Sequence, residues 1–104
     1  MQIMEVIKSD IFIKWLSRLD DKVAKSGISR RIDRIRYENN LGDFKNLGDK
    51  ICEMRIHTSK GYRVYFSMVG DKLILLLIGG DKSSQQKDIS KAKEILQDYL
   101  KGAK

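Results

Sequence analysis

The side chains best suited to chemistry on a phosphodiester lie in the second half of the chain. Two neighbouring segments alternate in polarity as β-strands do, and alternate residues of a strand point to the same face. If the two segments pair, their cationic and aromatic side chains share one surface, and two further lysines flank it at a hairpin tip and just past the next strand. The set comprises four cations, one imidazole and one phenol: Arg55, His57, Lys60, Arg63, Tyr65 and Lys82.

This combination is suited to binding and cleaving RNA. Arginine and lysine neutralise phosphates, and either Tyr65 or Tyr62 could stack on an unpaired base. Cleavage would begin with attack of the RNA 2′-hydroxyl on its own phosphate, and it needs a base, an acid and cations for the added charge. His57 carries an imidazole, the side-chain type most suited to general acid–base catalysis, and a lysine among cations can also act as a base. The alternative interpretation is an ordinary solvated strand face with a surface histidine.

Composition limits the other classes of function. The chain has 104 residues with a formal net charge of +7, which predicts a single domain over residues 1–104 and favours polyanionic partners. The lone Cys52 and single histidine argue against a disulfide framework and a zinc centre, so we expect neither metal nor cofactor. No apolar run reaches the length of a membrane helix and no signal peptide is visible, so we expect a cytoplasmic, soluble protein without a membrane partner.

Hydrophobic periodicity predicts an α+β domain with the element order βααβββα. A short strand is expected over Gln2–Ile7, followed by a helix capped by Ser9 or Asp10 and a second helix that Asp20-Asp21 re-caps and that runs to about Asn40. A loop to about Asp49 precedes three strands joined as hairpins. These strands are predicted over Lys50–His57, Gly61–Met68 and Lys72–Ile78.

Further expectations concern the ends and buried sides of these elements. Gly79-Gly80 should end the last strand, and Ser83-x-x-Gln86 has the spacing of a capping box for a C-terminal helix. The apolar stripe of the second helix should be buried, and its four arginines should be solvated. That stripe comprises Val23, Ile28, Ile32 and Ile35, and the stripe of the C-terminal helix comprises Ile89, Ala92, Ile95, Leu96 and Tyr99.

Two blocks at a characteristic separation resemble the "addiction module killer protein" family, the HigB-like toxins of the RelE/ParE superfamily. The resemblance runs over nearly the whole chain. Its most specific parts are Gly61-Tyr62-Arg63-Val64-Tyr65-Phe66 and Gly79-Gly80-Asp81-Lys82-Ser83, supported by Gly42-Asp43-x-Lys45-x-Leu47 and Glu53-Met54-Arg55-Ile56. It implies a RelE-like fold, in which a helical hairpin packs on a curved, mainly antiparallel four-stranded sheet with a C-terminal helix.

The same resemblance implies a bacterial type II toxin–antitoxin system. Its RelE and HigB branches are ribosome-dependent, metal-independent mRNA endonucleases that inhibit translation and arrest growth. The implied partners are a cognate helix-turn-helix antitoxin, mRNA on the ribosome, and operator DNA through the antitoxin complex alone. Two other functions remain open at this point: ParE-like inhibition of DNA gyrase, and a degenerate toxin that acts only as an antitoxin-binding co-repressor.

Arg55 and Arg63 match the family's strand arginines, so the resemblance implies that they bind phosphate and stabilise transition-state charge. Lys82 matches the lysine after the family's last strand, which implies a role as a cation or in proton transfer. With His57 they form the predicted catalytic set, and Lys60, Tyr62 and Tyr65 the predicted RNA-binding set. The turn before Gly61 lacks the family's usual Gly-Pro. A catalytic C-terminal tyrosine and a histidine-rich tail are also missing, which leaves the acid and the base open.

Overall fold

The computed structural model describes residues 4–57, 61–71 and 73–102, and these form an α+β domain. In chain order the elements are β1 (Glu5–Lys8), α1 (Asp10–Arg18), α2 (Lys22–Glu38), β2 (Phe44–Gly48), β3 (Ile51–Ile56), β4 (Tyr62–Val69), β5 (Leu73–Asp81), a 3-10 turn (Lys82–Ser84) and α3 (Gln85–Gly102). The predicted fold class is confirmed. Parts of three predictions, Gln2, Lys60 and Lys72, lie outside the described residues.

The strands form one sheet in the order β1-β5-β4-β3-β2. β1 pairs with β5 in parallel, and the other neighbours are antiparallel. The predicted four-stranded sheet therefore has five strands among the described residues. β5 lies inside the sheet with Ile74–Leu77 buried, as its unbroken apolar run predicts.

The additional strand is β2, which replaces part of the predicted loop between Asn40 and Asp49. β2 pairs antiparallel with β3 at the sheet edge, and all its residues except Leu47 are exposed. Alternation of apolar and polar residues does not reveal an exposed edge strand such as β2, because backbone hydrogen bonds to β3, and not a buried side-chain face, hold it in place. The prediction of a loop here was wrong for that reason.

Both helices of the hairpin begin at the predicted caps. The Ser9 hydroxyl accepts the Phe12 N–H at 2.9 Å, and the Asp21 carboxylate accepts the Ala24 N–H at 3.0 Å. The buried stripe of α2 contains Ala24 instead of Val23, whose side chain is 63% exposed. In the described ranges, no helix combines the length and apolarity needed to cross a membrane.

The sheet has a hydrophobic core on each face. Under the α1–α2 hairpin, Phe12 and Ile28 pack against Phe66 and other residues of the sheet. On the opposite face, Ala92 and Leu96 of α3 pack against Tyr65 and Leu77. The helix stripe predicted for α3 is confirmed, and α3 covers part of the face that carries the predicted site.

Gly79 and Gly80 do not end β5, which continues to Asp81 by pairing with β4. A Cβ at Gly79 would collide with the ring of Trp15, and one at Gly80 would collide with the carboxylate of Asp88. Glycine is therefore required here for close packing on both faces. The predicted capping box is also wrong, because the Asp81 carboxylate accepts the Ser83 N–H (2.9 Å) and α3 begins at Gln85.

Candidate functional site

The site is built on the hydrogen-bonded pair of strands β3 and β4. Arg55 lies directly opposite Arg63 in the antiparallel register, and Glu53 lies opposite Tyr65. Directly opposed residues point to the same face, so these four side chains share one surface as alternation predicts. Gly80 of β5 lies opposite Arg63 on its other side, and the Asp88 carboxylate and the Ser84 hydroxyl fill the space where a Cβ of residue 80 would stand.

A buried carboxylate lies beneath the two arginines. Glu53 is 1% exposed, and its oxygens lie 3.3 Å from Arg55 Nε and 3.4 Å from Arg63 Nε. Its Oε2 also accepts the Gln85 amide N–H at 2.9 Å and the Tyr65 hydroxyl at 3.3 Å. Glu53 thus ties β3, β4 and the start of α3 together, and it satisfies the requirement that a buried charge be paired.

The two guanidiniums differ in exposure and in how they meet Glu53. The Arg55 side chain is 47% exposed and its Nε donates a hydrogen bond, whereas the Arg63 side chain is 12% exposed. Arg63 Nε is buried and ion-paired, but its geometry does not meet the requirement for a hydrogen bond. Both ion pairs with Glu53 use Nε, and the two Nη groups of each guanidinium carry four further N–H donors that can bind an anion.

A small cavity of about 170 Å³ adjoins the arginines. Its lining includes all four predicted catalytic residues, namely Arg55, His57, Arg63 and Lys82. Three cations and an imidazole therefore surround one space, although they come from two strands and the turn after a third. Their catalytic roles stay a prediction, while their convergence is a property of the fold.

His57 stands at the outer rim of this cavity. Its side chain is 69% exposed, and Nε2 lies 3.5 Å from Oδ2 of Asp43, whose side chain is 76% exposed. The contact is an ion pair only when the ring is protonated, and water screens it strongly. Asp43 directly precedes β2, so the pairing of β2 with β3 also brings a carboxylate next to His57, the predicted base.

The tyrosines do not present their rings to the solvent. Tyr65 is fully buried under α3, and burial, followed by the charge of Glu53 and its hydrogen bond, raises the pKa of its phenol well above the ordinary value. Tyr62 is 5% exposed and packs edge-on against Trp15. A buried ring cannot stack on a base, so we correct the stacking role expected for both residues. Lys60 lies outside the described residues.

Arg31 is a structural residue that the sequence pattern misplaced on the solvated face of α2. Its Nη1 donates to the carbonyl of Arg55 at 2.9 Å, and its Nη2 donates to the carbonyls of Leu41 and Asp43 at 2.9 and 3.0 Å. Desolvation lowers the pKa of this guanidinium. Arg31 therefore holds the end of β3, and with it Arg55, against the segment that leads into β2.

A larger concave surface lies elsewhere, between α1, the α1–α2 turn and the end of β5. This groove of about 990 Å³ is lined by four carboxylates but only two cations among its charged groups: Asp20, Asp21, Asp81, Asp88, Lys14 and Arg18. Such a surface would repel a phosphodiester. The sign of the lining charges, and not the cavity volume, therefore identifies the small cationic cavity as the candidate site for RNA.

Sequence reasoning also missed Glu53 and Gln85 as parts of the site. Alternation along β3 does place Glu53 on the same side as Arg55, and that signal could have identified it. Gln85 or Gln86 belongs to the block that resembles the family, but the contact of Gln85 with Glu53 could not be predicted because it joins residues 32 positions apart. No cluster of three or more potential metal ligands occurs within residues 4–57, 61–71 and 73–102.

The amino-acid sequence matches a described protein family and a bacterial relative. Residues 14–99 match the family described as phage derived protein Gp49-like (DUF891). A Haemophilus influenzae protein described as uncharacterized is 46% identical over 87 residues, which is 84% of this chain and 87% of that protein.

Two solved structures share the fold at low sequence identity. A double mutant of the E. coli toxin RelE in the free state superposes with a TM-score of 0.71 at 13% identity, covering 89% of this chain and 97% of that one. The intact E. coli RelBE toxin–antitoxin complex gives a TM-score of 0.57 at 17% identity, covering 75% and 95%. The sequence-based expectation of a RelE-like fold is therefore confirmed.

Proposed function

This chain belongs to the Gp49-like (DUF891) family of phage-derived proteins, a RelE/HigB-type toxin family, and we propose that it is the toxin of a type II toxin–antitoxin system that cleaves mRNA on the ribosome. The observation that carries the proposal is the convergence of Arg55, Arg63 and Lys82 with His57 around one cavity. The RelBE neighbour supports an antitoxin as the partner, because that complex pairs a toxin of this fold with its antitoxin.

The proposed reaction is an internal transesterification of RNA. The 2′-oxygen attacks the adjacent phosphorus and loses its proton to a base. The bond from phosphorus to the 5′-oxygen breaks, and an acid protonates that oxygen. The products are a 2′,3′-cyclic phosphate and a free 5′-hydroxyl, so atoms and charge balance without oxidation or reduction.

The roles of the side chains follow from their positions. Arg63 is mostly buried and ion-paired with Glu53, so its Nη groups are suited to stabilising the charge that develops on the phosphate oxygens. Arg55 is half-exposed and adds a second cation to the same phosphate. His57 in its neutral form would accept the 2′-proton, and Lys82 would donate to the leaving oxygen.

The buried phenol of Tyr65 is a poor candidate for either proton transfer. Its raised pKa keeps it protonated, and its hydroxyl is hydrogen-bonded to Glu53. Glu53 itself accepts three hydrogen bonds, from Arg55, Tyr65 and Gln85, is ion-paired with Arg63 and is screened from the solvent. Both residues position the arginines instead of contacting RNA.

The direct test is cleavage of mRNA on programmed ribosomes, with mapping of the termini. We expect cuts in the ribosomal A site that leave a 2′,3′-cyclic phosphate and a 5′-hydroxyl. A parallel supercoiling assay with DNA gyrase separates the alternatives. Intact mRNA with inhibited gyrase would establish the ParE-like function, whereas antitoxin binding with neither effect would establish a co-repressor.

A further inference from the structure

The edge strand β2 extends the cationic surface beyond the predicted site. Lys45 lies opposite Glu53 in the β2–β3 register, so its side chain is on the same face as Arg55 and Arg63. Nothing in the sequence pattern placed Lys45 there, because the segment was expected to be a loop. The surface therefore crosses β2, β3 and β4 and continues to Lys82.

A second cavity, of about 270 Å³, lies on the β2 side of Arg55. It is lined by Asp43, Phe44, Lys45, Glu53 and Arg55. Arg55 also lines the cavity with Arg63 and Lys82, so its half-exposed side chain is common to both spaces. A strand of RNA bound at the first cavity would meet the second without passing over another element of the fold.

Lys45 is the candidate anion ligand of this second cavity, whose lining carries two cations and two carboxylates. The Glu53 carboxylate is engaged by the arginines, whereas Asp43 is exposed and keeps its charge uncompensated when His57, 3.5 Å away, is neutral. Lys45 is exposed and has no ion-pair partner among the described parts of the chain. An exposed ammonium beside an arginine offers a position for one phosphate.

We propose that Lys45 and Arg55 form a second phosphate-binding position, so that the RNA runs across the strands from Lys82 towards the β2 edge. Neighbouring strands are about 4.8 Å apart, so β2 and β4 are separated by about 10 Å. A separation of this size is better matched to two phosphates of one RNA strand than to a single phosphate bound from both β2 and β4. This inference rests on the proposed function, because it assigns a substrate position next to the same cavity.

The experiment measures binding of fluorescent 2′-O-methyl oligoribonucleotides, which cannot undergo the cleavage. A dinucleotide carries one bridging phosphate and a tetranucleotide carries three. We expect Lys45→Ala to weaken tetranucleotide binding about three- to tenfold and to leave dinucleotide binding unchanged. The slope of log affinity against log salt for the tetranucleotide should become about 0.7 less steep, as loss of one phosphate contact on a single strand predicts.

Lys101→Ala is the matched control, because Lys101 is an exposed lysine in the last turn of α3 and the substitution removes the same charge. Equal affinity of Lys45→Ala and the wild type for the tetranucleotide would overturn the inference. So would equal weakening by Lys45→Ala and Lys101→Ala, which would show a general charge effect. A loss of antitoxin affinity with unchanged RNA affinity would instead assign Lys45 to the protein partner and would also overturn it.

The ribosomal cleavage assay keeps the two hypotheses distinct. If the wild type cleaves mRNA and Lys45→Ala binds the tetranucleotide as well as the wild type, only the second phosphate position fails. If the wild type neither cleaves mRNA nor binds the tetranucleotide, both fail. For Lys45→Ala we expect a higher half-saturating toxin concentration with a maximal cleavage rate within about twofold of the wild type, as loss of a binding contact predicts.

Discussion

Arg55 and Arg63 face each other directly across strands β3 and β4. Like charges at opposed positions of a sheet are destabilising, so this pair does not promote folding by itself. Glu53 compensates for it by placing one buried carboxylate within 3.4 Å of both Nε atoms. A repulsive pair that needs a buried counter-charge is typical of a site arranged for binding an anion.

Replacing Arg63 should abolish toxicity with little effect on folding. We expect Arg63→Ala to lower the rate of mRNA cleavage on ribosomes about a hundredfold, the usual cost of losing one donor to a developing anion. Glu53 keeps Arg55 as a partner, so the melting temperature should change little. Growth after induction, single-turnover cleavage and thermal denaturation are the measurements.

The control for this prediction is Arg30→Ala, since Arg30 is exposed on α2, away from the cavity. It should remain as toxic as the wild type. Affinity for the antitoxin should stay within about threefold for both variants, a difference below about 0.7 kcal/mol. Full toxicity of Arg63→Ala would remove this arginine from the proposed site.

Removal of the buried carboxylate should destabilise the protein and disorder the arginines. Glu53→Ala leaves the Tyr65 hydroxyl and the Gln85 amide without their acceptor, and we expect a loss of about 2 kcal/mol in the free energy of unfolding. Glu53→Gln keeps one acceptor oxygen and should lose less stability, but it removes the charge that orients the guanidiniums. Urea denaturation and cleavage assays measure the two effects.

The cleavage activity per folded molecule separates a positioning role of Glu53 from a purely structural one, because a structural role would leave this ratio unchanged. Glu53→Gln should lower the maximal cleavage rate under conditions in which it is fully folded. Glu38→Gln, at the exposed end of α2, is the matched control. A fully folded Glu53→Gln variant with the wild-type rate would show that Glu53 does not position the arginines for catalysis.

Binding to RNA should weaken steeply as salt is added. Each phosphate neutralised on a single strand contributes about −0.7 to the slope of log affinity against log salt. Arg55, Arg63 and Lys82 converge on one phosphate in the proposed reaction and predict a slope of about −0.7, which a second phosphate at Lys45 would bring to about −1.4. Fluorescence anisotropy across a salt series measures it, and a flat response would contradict binding through this cationic surface.

The carboxyl group of Asp88 should make stability depend on pH. Desolvation is the largest cause that raises its pKa, and the Ser84 hydroxyl bond only partly offsets it. The folded protein therefore binds this proton more tightly than the unfolded chain does. The protonated Asp88 carboxyl therefore adds to the free energy of unfolding below the ordinary aspartate pKa of about 3.9, and this stabilisation is lost as the pH rises through the raised pKa.

Asp88→Asn should consequently be more stable than the wild type at pH 7, and the difference should vanish near pH 3.5. Melting temperatures measured across this range test the prediction. Asp98→Asn, an exposed position on the same helix, is the control and should show little pH-dependent difference. A lower melting temperature of Asp88→Asn at pH 7 would contradict the prediction.

The packing of Gly79 predicts a specific steric effect. A methyl group there would collide with the indole ring of Trp15, so we expect Gly79→Ala to destabilise the protein by about 1–3 kcal/mol. Gly102→Ala is the control, because a Cβ at Gly102 meets open space. Chemical denaturation compares the two, and equal stability would show that Trp15 can move aside without cost.

Much of the fold could be predicted because its signals are local. The caps at Ser9 and Asp21, the apolar stripe of α3 and the unbroken run of β5 all depend on neighbouring residues, and each is present in the structure. Period-2 alternation likewise placed Arg55 and Arg63 on one face, and the register confirms this.

Only the tertiary structure decided how that face is used. β2 exists because β3 offers it hydrogen-bonding partners, and it contributes Lys45, while α3 buries Tyr65 and brings Gln85 to Glu53. Such contacts join residues that are distant along the chain, so they depend on register and on what covers each face. Alternation determines which side of a strand a residue occupies, but the packing of other elements determines whether that side meets water, a helix or a ligand.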